Sequence, residues 1–210
     1  MGGIASLGFA PYNFFFFSIL ALVAMLILLE KVKEEKKAFK LGFSFGLSFH
    51  FCCLYWIAIA FKTANFGGFI FGILAVLLLS LFLSILVGIT FYLLKLACKN
   101  KSAFLKAIII IIFFSILDWI KGNILWGFPW LPISAIWTFN KITLTPFSFL
   151  GVWGYSMFTY FLVVGIFFLK RNYRVSIFFL IPFFALFFVN EKFLLSEKKK
   201  IDKINIRLVQ

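Results

Sequence analysis

Asp118 and Lys121 are the residues of this sequence best placed to do chemistry. Asp118 is the only acid inside an apolar stretch, and Lys121 follows three positions later, a spacing that puts both on one helix face. A carboxylate in hydrocarbon is costly, so it reads by default as a functional group. The competing reading is an interfacial ion pair of little energetic weight, with Lys121 snorkelling to the headgroups. Paired-carboxylate acid–base chemistry is unavailable, because no second acid stands nearby in sequence. His50 is the sole histidine and cannot build a metal site alone. It reads as a hydrogen-bonded core group, with proton handling as the sharper alternative. Cys52 and Cys53 are adjacent and Cys98 stands apart. Neighbouring cysteines on a helix point in different directions, and no Cys-x-x-Cys or Cys/His metal spacing occurs, so all three read as small buried thiols. Neither a metal nor a cofactor is expected.

The elements that must position these groups follow from composition. Hydrophobic residues make up 64% of the 210 positions and charged residues 13%, against roughly 45–50% and about 25% in soluble domains. One soluble core of this size could not hide that much apolar surface. The chain therefore reads as an all-α, polytopic transmembrane bundle of about six helices, since a span needs about 20 apolar residues. The runs are Tyr12 to Leu29, Phe39 to Phe61, Phe69 to Leu94, Phe104 to Ile120, Ser148 to Leu169 and Val175 to Val189. The first lacks a basic segment before it and a small-residue cleavage site after it, so it does not read as a signal peptide.

The net charge of +14 would suggest nucleic acid in a soluble protein. Here the charges sit between apolar runs, as the positive-inside rule requires, and an anionic leaflet is the expected counter-charge. Lys31, Lys33, Lys36, Lys37 and Lys40 follow the first run, Lys95, Lys99, Lys101 and Lys106 the third, and Lys170, Arg171 and Arg174 the fifth. The other two connections carry only Lys62, Lys121 and Lys141. This contrast puts the first set in the cytoplasm and both termini outside.

The connection from Lys121 to Phe147 is long, aromatic and nearly uncharged. Trp126, Phe128, Trp130, Trp137 and Phe139 are interleaved with Gly127, Pro129, Pro132 and Pro146, which interrupt any helix. Disorder fits such a composition poorly. The segment should lie at the outer interface or dip in and return. It is either an aromatic belt that anchors the bundle or a surface for lipid chains. Beyond it, Gly151 and Gly154 read as a flat patch for close helix approach. At the end of the chain, Ile204, Ile206 and Leu208 alternate with Asn205, Arg207 and Val209, the period of a β-strand.

Taken together, these residues resemble the bacterial apolipoprotein N-acyltransferase family. The resemblance starts at Gly8–Phe9–Ala10–Pro11–Tyr12 and continues through Gly42–Phe43 to Gly46 and Leu54–Tyr55–Trp56–Ile57. It is strongest in Asp118–Trp119–Ile120–Lys121–Gly122, Gly127–Phe128–Pro129–Trp130–Leu131 and Gly151–Val152–Trp153–Gly154–Tyr155–Ser156. Departures are Asp118 for the family's Glu and Lys121 for its Arg, which loses a planar two-pronged contact, and Ser134–Ala135–Ile136–Trp137 for a Gly-Tyr-Ser-Gln.

The resemblance implies a bacterial inner-membrane enzyme. It would take an acyl chain from a phospholipid and place it on the N-terminal diacylglyceryl-cysteine of a lipoprotein, through a thioester on a cysteine of a Glu-Lys-Cys group in a nitrilase-like domain. On this reading residues 1–200 are the membrane domain and 201–210 the first strand of that catalytic domain, whose catalytic residues these 210 do not include. Substrate or interface contacts would then fall on Asp118, Lys121, Trp126, Gly127, Phe128, Pro129 and Trp130, and a separate nitrilase-like chain is a possible partner. The alternative is a non-enzymatic lipid-binding or scaffold membrane protein. A transporter is less well supported, because no repeat of two similar halves is visible.

Overall fold

The structure, a computed structural model, describes residues 1–64, 67–124, 127 and 130–196, with 187–196 as backbone only. The expected β-strand at 204–209 and the candidates Trp126, Phe128 and Pro129 lie outside the described residues.

The described residues form helices α1 (Gly2–Ser6), α2 (Phe15–Lys31), α3 (Glu35–Cys53), α4 (Tyr55–Thr63), α5 (Gly68–Ala97), α6 (Ala103–Asn123), α7 (Lys141–Leu144), α8 (Phe147–Phe168) and α9 (Tyr173–Ser196). A 3₁₀ turn, Ile133–Trp137, stands between α6 and α7. Among the described residues four stretches are long and apolar enough to cross a membrane: Glu35–Thr63, Gly68–Ala97, Ala103–Asn123 and Phe147–Phe168. They match the second to fifth runs. The first run gives α2, whose 17 residues extend about 26 Å. The sixth gives α9, apolar over Tyr173–Leu186.

The second run is not one straight helix. It breaks at Leu54 (φ −96°, ψ 9°) between α3 and α4. Cys52 and Cys53 thus stand at the end of α3 rather than within an unbroken helix, Cys52 exposed and Cys53 half-buried.

Close packing in the bundle rests on small residues. A Cβ added at Gly42 would lie 2.7 Å from Phe91 of α5, and one at Gly46 3.0 Å from Val87, so α3 and α5 meet along a four-residue repeat of glycine. One large core joins α1, α2, α3, α5, α6, α8 and α9, and a smaller one, of Leu54, Ala58, Val76 and Leu83, lies between α4 and α5.

The three basic connections meet at one end. Arg171, after α8, holds Glu30 of α2 at 2.9 Å. Lys95 of α5 donates to the carbonyls of Leu29 and Glu30 at 3.2 and 3.5 Å, satisfying acceptors that the end of α2 would leave open.

Candidate functional site

Ser102 caps the start of α6 by accepting the N–H of Leu105, and the helix runs to Asn123. Asp118 and Lys121 therefore fall in its last turns, at the end away from the basic connections. Both are buried, Asp118 at 2% and Lys121 at 5% exposure. Lys121 Nζ lies 2.9 Å from Asp118 Oδ1. This excludes the interfacial pair with a snorkelling lysine, because the ammonium points into protein.

The remaining hydrogen bonds of the pair go to the segment after α6. Asp118 Oδ2 accepts the N–H of Ile133 at 3.0 Å and the hydroxyl of Tyr160 at 2.8 Å. Lys121 Nζ donates to the Leu131 carbonyl at 3.4 Å. The carboxylate and the ammonium thus grip the chain on either side of Pro132. Leu131 sits at φ +49° and Gly127 at φ +80°, the left-handed region. Gly127 adopts it freely and Leu131 under strain, so the clamp holds a backbone that would otherwise relax.

Beyond the clamp the chain turns into the bundle. Ser134 and Ile136 are fully buried and Trp137 nearly so. Trp137 Nε1 donates to Thr159 Oγ1 at 2.9 Å. The Ser134 N–H donates to Ser156 Oγ at 3.3 Å, and Ser134 Oγ donates to the Val152 carbonyl at 3.1 Å. The connection therefore dips in and returns, and Trp137 is core rather than belt. Trp130 is half-buried, against the α4–α5 cluster.

The sequence motifs converge here. A Cβ at Gly122 would overlap Trp153, with 1.9 Å between them, so Gly122 is the seat of the Trp153 ring. The expected flat patch at Gly151 and Gly154 is corrected. Gly151 (φ +65°, ψ −179°) kinks α8, and an added Cβ meets nothing described within 4 Å. One at Gly154 meets only Leu150 of its own helix.

Asp118, Lys121, His50, Tyr160 and Ser18 share the lining of a small cavity of about 50 Å³, with apolar neighbours such as Phe91 and Phe114. The Gly46 carbonyl accepts from His50 Nδ1 at 2.8 Å, and Ser18 Oγ donates to the Ala5 carbonyl at 2.6 Å. The cavity has room for a few waters and is far below the roughly 300 Å³ of a ligand pocket. The described polar contacts of the buried pair are with each other, Leu131, Ile133 and Tyr160. Tyr160 and Thr159 are site residues that sequence reasoning missed, and Ser134 and Ser156 entered it only as members of motifs, with no role assigned at the site. For Tyr160 and Thr159, hydroxyls in an otherwise apolar helix run were the available signal.

Among the described residues no group of three His, Cys, Asp or Glu could hold a metal.

These features define a multi-pass helical membrane module in which a buried ion pair fixes an inserted aromatic loop. Residues 1–166 match the family profile "Apolipoprotein N-acyltransferase N-terminal domain", and the chain belongs to that family. It is 32% identical over 133 residues to an apolipoprotein N-acyltransferase of Wigglesworthia glossinidia brevipalpis, covering 63% of this chain and 27% of that protein. Identity to the apolipoprotein N-acyltransferase of Rickettsia prowazekii is 27% over 160 residues, covering 74% and 31%. With that of Photobacterium profundum it is 31% over 136 residues, covering 62% and 25%. The matched region spans about a quarter to a third of the length of these relatives.

Proposed function

We propose that this chain is the membrane module of an apolipoprotein N-acyltransferase-like enzyme of the bacterial inner membrane. It presents a phospholipid acyl donor and a lipoprotein acceptor to a nitrilase-like catalytic unit, in the same or a separate chain, and these 210 residues do not catalyse transfer alone. The observation that carries the reading is the family match over residues 1–166. Its motif residues converge on the Asp118–Lys121 clamp. Asp118 and Lys121 are positioning residues in this reading: they set the loop, and Gly127–Leu131 is the part that meets substrate. In this reading both termini face the outer side, which the clustering of basic residues in the connections after the first, third and fifth runs supports.

The test is expression of the 210-residue chain in cells depleted of their own N-acyltransferase, with a lipoprotein's N-terminus read by mass spectrometry. No acylation is expected from the chain alone, and acylation would sink the claim of inactivity. Grafted in place of the membrane module of a complete enzyme, the chain should support acylation, and Trp130→Ala should abolish it while insertion stays normal. Unchanged acylation would remove any substrate role for Trp130.

A second reading, a non-enzymatic lipid-holding module, is favoured by a groove of about 420 Å³ between α2, α8 and α9. Phe15, Trp137, Leu162 and Phe183 are among its residues. Failure of the graft to support acylation would favour that reading.

A further inference from the structure

The other end of α6 opens on a different site. A cleft of about 440 Å³ is lined there by Lys33, Lys95, Lys99 and Lys106, over an apolar floor that includes the buried Leu94 and Phe167. Lys33 and Lys99 are exposed, and Lys95 and Lys106 are half-buried. Two carboxylates share the cleft, Glu30 and Glu35. Glu30 is already held by Arg171, which leaves four ammonium groups facing one uncommitted carboxylate. Lys95 is committed to the carbonyls ending α2. Among the described residues no carboxylate lies within ion-pair distance of Lys33, Lys99 or Lys106.

Like charges gathered this closely repel unless an anion joins them. Lysines bind phosphate as point charges without demanding one geometry. The volume lies in the range of a ligand site, and basic pockets between membrane helices suit anionic headgroups. A free phosphate would satisfy the lysines and leave the apolar floor unused.

We propose that this cleft binds an anionic phospholipid, its phosphodiester among Lys33, Lys99 and Lys106 and the start of an acyl chain on the floor beside Phe167. The site shares no residue with the Asp118 clamp and implies no acyl transfer, so it stands apart from the reading above. A lipid seated there ties the connections after α2 and α5 to the start of α6.

The test is native mass spectrometry of the detergent-solubilised chain with phosphatidylglycerol or phosphatidylcholine added at equal mole ratio. A Lys33→Gln/Lys99→Gln/Lys106→Gln variant is compared with Lys36→Gln/Lys37→Gln/Lys40→Gln, which removes equal charge from outside the cleft. The cleft variant should bind phosphatidylglycerol at least about tenfold more weakly, while the control variant matches the unaltered chain. Equal weakening of both variants, or equal retention of the two lipids, overturns the proposal. Complete displacement of the lipid by millimolar inorganic phosphate also overturns it, in favour of a free-anion site. Should the triple variant fail to fold, Lys99→Gln and Lys106→Gln singly decide. Each is expected to weaken phosphatidylglycerol binding about threefold or more, and no change in either counts against the site.

Discussion

Asp118→Asn would leave the Lys121 ammonium buried without its counter-charge, facing only neutral acceptors, the new amide oxygen and the Leu131 carbonyl at 3.4 Å. Breaking a buried pair from one side typically costs about 3–5 kcal/mol, because the uncompensated charge stays in a poor solvent. Asp118→Asn should therefore lower stability by about that amount in unfolding of the solubilised chain. Asp118→Asn/Lys121→Met, which removes the stranded charge, should recover much of it. A single variant that unfolds with the unaltered chain would mean that the pair holds nothing. The Asp-Lys pairing itself was legible, since a three-residue spacing on an apolar helix puts the two groups side by side. What it grips was not. Ile133 and Tyr160 lie 15 and 42 positions from Asp118, and only packing brings them within reach.

At the scale of elements, α6 and α8 are joined by a ring in a notch. Gly122→Ala would drive a methyl into Trp153, and overpacking of this kind typically costs about 1–3 kcal/mol. Trp153→Leu in the same chain should relieve the clash, so the double variant should be more stable than Gly122→Ala alone. Simple additivity of the two changes would show that the ring does not sit on Gly122. Hydropathy placed the four long spans closely, because burial in lipid imposes length and composition together. It could not place the break at Leu54, where neither proline nor glycine marks a stop. Trp137 was ambiguous for a related reason: an aromatic ring beside prolines suits a belt as well as a core, and its bond to Thr159 decides it. The glycines of α8 misled through their spacing alone, since Gly151 serves a left-handed kink.

For the whole molecule, charge sorts the two ends. The lysine-rich end carries the headgroup cleft and the opposite end carries the clamp. Cys98 follows α5 in the basic end, and burial pushes its thiol up, with the nearby Lys106 and Lys95 pulling the other way. A raised thiol holds less thiolate at neutral pH, and the thiolate is the nucleophile. With Cys52 and Cys53 replaced by Ser, maleimide should label Cys98 more slowly than a free cysteine at pH 7, with a rate that climbs as pH rises toward 9. An impermeant reagent should label it only in inside-out vesicles, if the basic end faces the cytoplasm. Labelling from the outer face of intact cells would reverse the topology.

The clamp also has a consequence for the order of assembly. Asp118 and Lys121 neutralise each other's charge within one turn of a single helix, so α6 can leave the insertion machinery with its charges already matched. The inserted loop and Tyr160 are synthesised later and dock onto a pair that is already in place. The expected order of assembly is helix first, loop second and α8 last. Lys121→Glu would put two acids in that turn, and α6 of a released chain truncated after Pro146, before α8 begins, should then fail to integrate. The same truncated chain with Lys121 unaltered should integrate fully without α8. Poor integration of that unaltered chain would mean that α8 is needed before the charges can be borne.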